Sequence, residues 1–235
     1  MTNMSRYVPP CPVEGCNRNT HGRSRYCAKH EYRDHSHGHP LQLPMTLKIK
    51  EPVQRLRRWG KTPEGKRVID IATEHYTHLA ERKQEEASAA YREMLNTGIK
   101  IDRPYNQATE IISEVAASKD HRKTVIELMA LGILLEETPQ SFKSDRAILC
   151  EATHVFIRGS TARASYRYYA KRGTRIAVTR YLRRETRNEL GRWLMTEMVT
   201  FGVALYRQWM KAAAEQKMQK NKVYAAIAAS TETSA

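Results

Sequence analysis

Residues 125–135, VIELMALGILL, are the most apolar stretch of this 235-residue chain, and they decide its fold class. Apolar side chains in this stretch would occupy most faces of a helix. That pattern is typical of a helix buried on all sides. We therefore expect a central helix around which the rest of the chain packs.

A long amphipathic helix is predicted before this stretch, over residues 63–96. Thr62 is a suitable N-cap, Pro63 is a favourable first helical residue, and Gly98 is a typical stop. Apolar residues between them recur at steps of three and four, as on one face of a helix.

Two shorter helical patterns flank the central stretch. One is centred on residues 111–115, and the other runs from a Ser144–Asp145 cap to Gly159. Cys150 lies in the apolar stripe of the second pattern and is interpreted as a small core residue. Runs of alternating β-branched residues are missing, so we expect helices throughout.

An apolar seam follows in the C-terminal part. Its members repeat at steps of three and four, which predicts packing on another helix. The seam consists of Leu190, Leu194, Met198, Phe201, Leu205 and Trp209. A homo-oligomer or a protein partner held through the last five of these residues is one expectation. Residues 213–235 are of low complexity and are predicted to be frayed or disordered.

Residues 158–192 contain eleven Lys or Arg but only two Asp or Glu, interleaved with tyrosines. This segment is predicted to form a short helix and a longer one, divided at Gly173, with apolar residues on one face and arginines on the other. Arginine matches phosphate oxygens with a planar fork of donors, and tyrosine adds a stacking face. The predicted nucleic-acid contacts are Arg163, Arg167, Arg172, Arg175, Arg180, Arg183, Arg184 and Arg187.

The net charge of +15 is concentrated at the two ends of the chain. Residues 1–60 carry +7, residues 61–157 carry −3, and residues 158–235 carry +11. This distribution favours two surfaces that contact a polyanion, DNA more than RNA. A solvated basic protein, or one that binds acidic lipid or protein, is the alternative. No run approaches eighteen apolar residues, so no membrane span is predicted.

The N-terminal region carries three of the four cysteines in the pattern C-x4-C-x10-C-x2-H. The residues are Cys11, Cys16, Cys27 and His30. Two close pairs of soft ligands separated by a polar loop are what a tetrahedral zinc ion requires. Four protein ligands leave no open position, so the predicted Zn²⁺ is structural. Arg18, Arg23, Arg25 and Lys29 of the same region are predicted to be a second, weaker nucleic-acid contact.

Disulfides or free thiols are the alternative for this cluster. Three cysteines leave an odd thiol, and residues 1–10 lack the apolar region of a secretory signal. A reducing compartment favours a metal over cross-links. We therefore expect a cytoplasmic protein, in the host cytoplasm or the virion if it is phage-encoded.

Residues 11–43 resemble a small zinc-binding module found near the N-terminus of many bacteriophage HNH endonucleases and related phage proteins. The C-x-V-x-G-C opening, the C-x-x-H pair of Cys27 and His30, and the ending His37-Gly38-His39-Pro40-Leu41 carry this resemblance, with His39 where the module usually has Asp. The resemblance implies zinc and a nucleic-acid-handling context, and it covers about a seventh of the chain.

The catalytic half of an HNH site is not evident. Asp34-His35 could imitate its general base, but no asparagine occurs between Asn19 and Asn96. We therefore expect a non-enzymatic, zinc-stabilised nucleic-acid-binding protein, such as a phage regulator or an accessory factor of replication or transcription. An assembly protein that contacts packaged DNA is the second hypothesis, and an HNH nuclease is the third.

The expected fold is all-α: a helical bundle with a small N-terminal zinc-binding module and a long C-terminal basic helix. The predicted divisions are the zinc module at 1–43, a basic linker at 44–60, the helical domain at 61–212 and the tail at 213–235. Proline punctuation predicts that residues 38–52 are extended.

Overall fold

The computed structural model describes residues 8–98, 104–160, 164–169, 174–179 and 182–232. Within these ranges the chain is almost entirely helical, so the all-α prediction is confirmed. The helices are α1 (Ala28–His37), α2 (Lys50–Trp59), α3 (Pro63–Thr97), α4 (Pro104–Ser118), α5 (His121–Glu137), α6 (Asp145–Ile157), α7 (Arg184–Leu194) and α8 (Thr200–Glu232). A π-helical turn over Met195–Val199 joins α7 to α8.

The predicted central helix is α5, and every residue from 124 to 134 is buried. It packs against α2, α3, α6 and α8. Two glycines let α5 and α8 touch through their backbones: a Cβ at Gly132 would lie 2.3 Å from the Val199 carbonyl oxygen, and one at Gly202 would lie 2.0 Å from that of Met129. The core therefore depends on the absence of side chains at these positions.

The predicted caps are also present. The Thr62 side chain accepts a hydrogen bond from the Gly65 N–H at 3.1 Å, and Pro63 is the first residue of α3. Ser144 caps α6 through the Ala147 N–H at the same distance. Because these signals are local, the sequence was enough to place both helix starts.

The prediction that residues 38–52 are extended was wrong. Met45 and Ile49 are buried in the main core, and α2 begins at Lys50 and packs on α5. Pro52 lies in the first turn of α2, where the missing N–H has no helical partner to lose. Pro40 lies in a turn and Pro44 directly precedes another, so these prolines belong to a packed segment of turns rather than to an extended linker.

The helical prediction was wrong for residues 164–169 and 174–179, and Gly173, where the two helices were predicted to divide, lies outside the described residues. Two antiparallel strands, β1 (Ala164–Tyr169) and β2 (Thr174–Thr179), pair from Ala164↔Thr179 to Tyr169↔Thr174. The two strands are rich in Tyr, Thr, Ile and Val, which favour extended backbone. We call this hairpin the ribbon.

The tail was also predicted wrongly, because α8 continues to Glu232. Trp209 packs against the core, but the described residues from 210 to 222 are exposed. Packing therefore does not explain why the helix continues beyond Trp209. Ala, Lys, Gln and Met dominate the segment, and these residues have high intrinsic helix propensity. No helix of the described residues is both long and apolar enough to cross a bilayer.

Candidate metal centre and basic surfaces

Four side chains converge at the N-terminal end of the molecule. The ligand atoms of Cys11, Cys16, Cys27 and His30 all lie within 4.8 Å of one another. Cys11, Cys27 and His30 are buried, while Cys16 is half-buried. This set is the one that the spacing predicted.

The distances within the cluster fit a tetrahedral metal. Metal–sulfur bonds of about 2.3 Å and metal–nitrogen bonds of about 2.0 Å imply tetrahedral edges of about 3.8 Å for S···S and about 3.6 Å for S···N. The Sγ atoms of Cys16 and Cys27 are 3.8 Å apart. His30 Nδ1 lies 3.4 Å from the Sγ atoms of both Cys11 and Cys27. The cluster can therefore close around one ion with little movement.

Local structure explains why these ligands converge. Between Cys11 and Cys16 the chain makes a tight turn, in which the Cys16 N–H bonds the Val13 carbonyl at 3.0 Å and Gly15 has a φ of 72°. Cys27 is the N-cap of α1, and His30 lies three residues later on the same helix face. One pair of ligands thus comes from a turn and the other from a helix start.

Protonation in the cluster also suits a metal. The backbone N–H of His30 lowers the pKa of the Cys27 thiol and outweighs the opposing effect of burial. Burial lowers the pKa of His30, as do the charges of Arg33 and Lys29, so the neutral imidazole is favoured. At Cys16 the backbone N–H of Arg18 lowers the pKa, but burial and the neighbouring thiols raise it by more. A thiolate and a neutral imidazole are the forms that bind metal.

The metal-site helix α1 is docked on α6 by buried polar contacts. Glu151 accepts a hydrogen bond at 2.6 Å from Nδ1 of His37 and another at 3.1 Å from the Met45 N–H. His154 Nε2 lies 2.7 Å from the Ser36 carbonyl oxygen, to which it donates, and its ring stacks on that of His37. Nothing in the local sequence pattern predicted this interface.

Further contacts extend the same interface. Arg146 bonds the Asp34 carboxylate at 3.2 Å. A Cβ at Gly38 would lie 2.5 Å from the Arg146 carbonyl oxygen, and Gly38 has a φ of 77°. Burial lowers the pKa of His154, while Glu151 opposes this effect and His37 and Arg187 reinforce it.

The predicted basic contacts of the N-terminal region lie on the surface. Arg18, Arg23, Arg25 and Lys29 are all exposed. Arg25 lies over the ring of Tyr26, with its Cζ 4.7 Å from the ring centroid, in a cation–π contact. We call these four residues the module cations.

The eight arginines predicted in the C-terminal segment have different locations. Arg167 is in β1 and Arg175 is in β2, while Arg163, Arg172 and Arg180 lie outside the described residues. Arg183 and Arg184 are exposed at the start of α7. The prediction that Arg187 is exposed on an arginine face was wrong: it is only 7% exposed.

Arg187 has an internal role. Its Nη2 donates to the Leu182 carbonyl oxygen at 3.3 Å, and its own carbonyl accepts from Thr153 Oγ1 at 3.1 Å. Leu182 is separated from the end of β2 by only two residues. Arg187 therefore fixes the base of the ribbon to α6 and α7, and it does not face solvent.

The apolar seam is occupied within the chain. Leu194, Met198 and Leu205 are buried in the core, and Phe201 and Trp209 pack against it. The Trp209 ring meets that of Trp59 edge-on at 5.1 Å. In this structure the seam binds α5 and α2–α3 rather than presenting a surface to a partner.

Comparisons of the chain with protein families, with characterised proteins and with solved structures found no match. The resemblance of residues 11–43 to a phage zinc module therefore stays a prediction. Its most testable part is the ligand set, and those four side chains are the ones that converge.

Proposed function

We propose that the chain is a non-enzymatic nucleic-acid-binding protein stabilised by one structural zinc ion. The observation that carries the proposal is the ribbon and its flanks. Residues 158–184 contain nine Lys or Arg and no Asp or Glu, and most of them lie on or beside a two-stranded hairpin. Such a dense concentration of positive charge favours a polyanionic partner.

The register of the ribbon groups residues of suitable type. Tyr168 pairs with Arg175, and Tyr166 pairs with Ala177. Since positions two apart share a strand face, these four residues lie on one face of the ribbon. On that face Arg175 is directly opposite Tyr168 and diagonal to Tyr166, which combines a phosphate donor with stacking groups.

Zinc is the metal that the donor set favours. Three thiolates and one imidazole in a tetrahedron are typical of structural zinc, and a full set of four ligands leaves no position for water or substrate. The ten-residue α1 is too short to be stable alone, so the ion would supply folding free energy to the N-terminal region.

The geometry gives less support to the other two hypotheses. A nuclease of the HNH type needs its histidine base on a strand, whereas His35 lies within α1. An assembly protein was expected to use the seam, whose side chains pack in the core of the same chain. We therefore retain nucleic-acid binding as the function.

Fluorescence anisotropy of a labelled DNA duplex tests the proposal. If about six phosphates are contacted, raising salt from 50 to 200 mM should weaken binding by about a thousandfold. Absence of binding at the lower salt concentration, or binding that does not respond to salt, would overturn the proposal.

Two variants with the same change in charge locate the affinity. The ribbon variant replaces four arginines on or beside the ribbon with Gln, and the tail variant replaces four exposed lysines of α8 with Gln. The first changes Arg167, Arg175, Arg183 and Arg184; the second changes Lys211, Lys217, Lys220 and Lys222. Only the ribbon variant should reduce the salt slope, by about 3–4 units if each of its four arginines binds a phosphate. Equal effects of both variants would show that net charge alone is responsible.

A further inference from the structure

The N-terminal module and the base of the ribbon are held by the same helix. Thr153 and His154 are consecutive residues of α6, and they bond different elements. Thr153 donates to the carbonyl of Arg187 in α7 at 3.1 Å, while His154 lies 2.7 Å from the carbonyl of Ser36 in α1. The two basic regions, distant in sequence, are therefore fixed relative to each other.

The positions along α6 show how the two elements are arranged. Arg146, Glu151 and His154 contact α1. Leu149 and Thr153 contact α7, where a Cβ at Gly191 would lie 2.5 Å from the Leu149 carbonyl oxygen. Successive residues of an α-helix are rotated by about 100°. The residues that contact α1 and those that contact α7 therefore lie on two faces of α6 that are about 100° apart.

Helices that pack directly have axes about 8–10 Å apart, so α1 and α7 are separated by about 14 Å. The ribbon begins close to this point. Leu182 is buried and bonded to Arg187, and only residues 180 and 181 separate it from β2. Three residue steps span at most about 11 Å, so the last residue of β2 lies within about 11 Å of Leu182.

The module cations lie at the metal-site end of α1, and α6 contacts the other end of the same helix through Asp34, Ser36 and His37. Lys29 is in the first turn of α1, and Arg18, Arg23 and Arg25 belong to the loop that Cys27 and His30 close. A helix of ten residues is about 15 Å long. These three spans keep the metal-site end of α1 and the nearer end of β2 within about 40 Å of each other, a little more than one turn of a DNA duplex, which is roughly 34 Å.

We infer that the module cations and the ribbon form one composite site that binds a single B-form DNA duplex, with α6 setting the spacing between them. This inference rests on the proposed function. The B-DNA major groove is about 12 Å wide and admits a two-stranded β-ribbon. The major groove of A-form RNA is deep and narrow, so a ribbon fits it poorly. The module cations then contact phosphates beside the groove.

The test uses the full-length, zinc-loaded chain and a labelled 12-bp DNA duplex. Sedimentation measures stoichiometry, and anisotropy measures affinity at 50 mM salt. The ribbon variant is compared with a module variant that changes Arg18, Arg23, Arg25 and Lys29 to Gln. The tail variant serves as the matched charge control, and circular dichroism and zinc content verify folding. A further variant, in which the four arginines of the ribbon variant are replaced by Lys, keeps the charge and should keep at least a third of the affinity of the parent chain.

The composite site predicts one duplex per chain, and each of the two variants should weaken binding at least tenfold. Two duplexes bound per chain, or a loss with only one of the two variants, would overturn the composite site while leaving nucleic-acid binding intact. Equal affinity for a 12-bp RNA duplex would overturn the choice of B-form DNA. A parent chain that binds no nucleic acid would instead overturn the proposed function itself.

Discussion

Replacing Glu151 with Ala should destabilise the whole protein. Glu151 is 2% exposed, and its carboxylate accepts hydrogen bonds from Nδ1 of His37 at 2.6 Å and from the Met45 N–H at 3.1 Å. Alanine would leave both buried groups without an acceptor. Each such group costs about 1–3 kcal/mol, so we expect a loss of about 3–5 kcal/mol in the free energy of unfolding. Urea unfolding followed by circular dichroism measures this loss.

Two further variants make the result specific. Glu151→Gln keeps one carbonyl oxygen and should lose less than Glu151→Ala. Glu136→Ala removes a carboxylate that pairs with Arg207, whose side chain is 69% exposed, and should cost about 0–1 kcal/mol. The zinc content of all three should equal that of the parent, because the ligands are untouched. If Glu151→Ala were no less stable than Glu136→Ala, the docking of α1 on α6 would not be the buried interface described above.

The other predictions concern the metal, the core and pH. Metal analysis should find one zinc ion per chain, lost in Cys16→Ser and kept in Cys150→Ser; chelation should lower the unfolding midpoint but leave most of the helical signal. Gly202→Ala should lower the free energy of unfolding by about 2 kcal/mol or more, although Ala is the better helix former by about 1 kcal/mol, because its Cβ would overlap the Met129 carbonyl. Stability should also fall as pH drops below about 6.5, where the unfolded chain protonates His154 while burial keeps its folded pKa lower. Urea titrations at pH 7.5 and 5.5 measure this slope, and His154→Gln should reduce it.

The helices were predictable because their signals are local. Capping side chains, a proline at a helix start and apolar residues at helical steps lie within one or two turns of each other. The cluster of Cys11, Cys16, Cys27 and His30 was predictable for the same reason, since one pair comes from a turn and the other from one helical turn. These features need no knowledge of the rest of the chain.

The ribbon was missed because two patterns compete in the same residues. Arginine and alanine have high helix propensity, and the segment was predicted to be helical with apolar residues on one face and arginines on the other. The strand signal was the alternation of Tyr166 with Tyr168 and of Ile176 with Val178, which is short and interrupted by charge. Five or six residues that alternate with period two indicate a strand less strongly than several turns of apolar residues with period 3.6 indicate a helix.

The burial of Arg187 could have been predicted from its spacing to the apolar seam. Arg187 lies three residues before Leu190 and seven before Leu194, so it belongs to the buried register of the seam. Thr186, next to it, is also buried. The identity of its partners could not be predicted, because Thr153 is 34 residues away. The α1–α6 interface is similar, since His37 and Glu151 are 114 residues apart.

The arrangement of α1 links the candidate metal site to the main core. Cys27 and His30 are at its first turn, while His37 at its last turn bonds Glu151, which also holds the backbone of Met45. A ten-residue helix has too few internal hydrogen bonds to stay folded alone. Its two ends would therefore be stabilised by different means, the proposed metal at one end and α6 at the other. Because α5 and its neighbours bury their own apolar surface, loss of the metal should weaken the contacts with α6 without unfolding the bundle. Binding of the duplex at the composite site would then depend on zinc through position, since the module cations would no longer be held beside the ribbon.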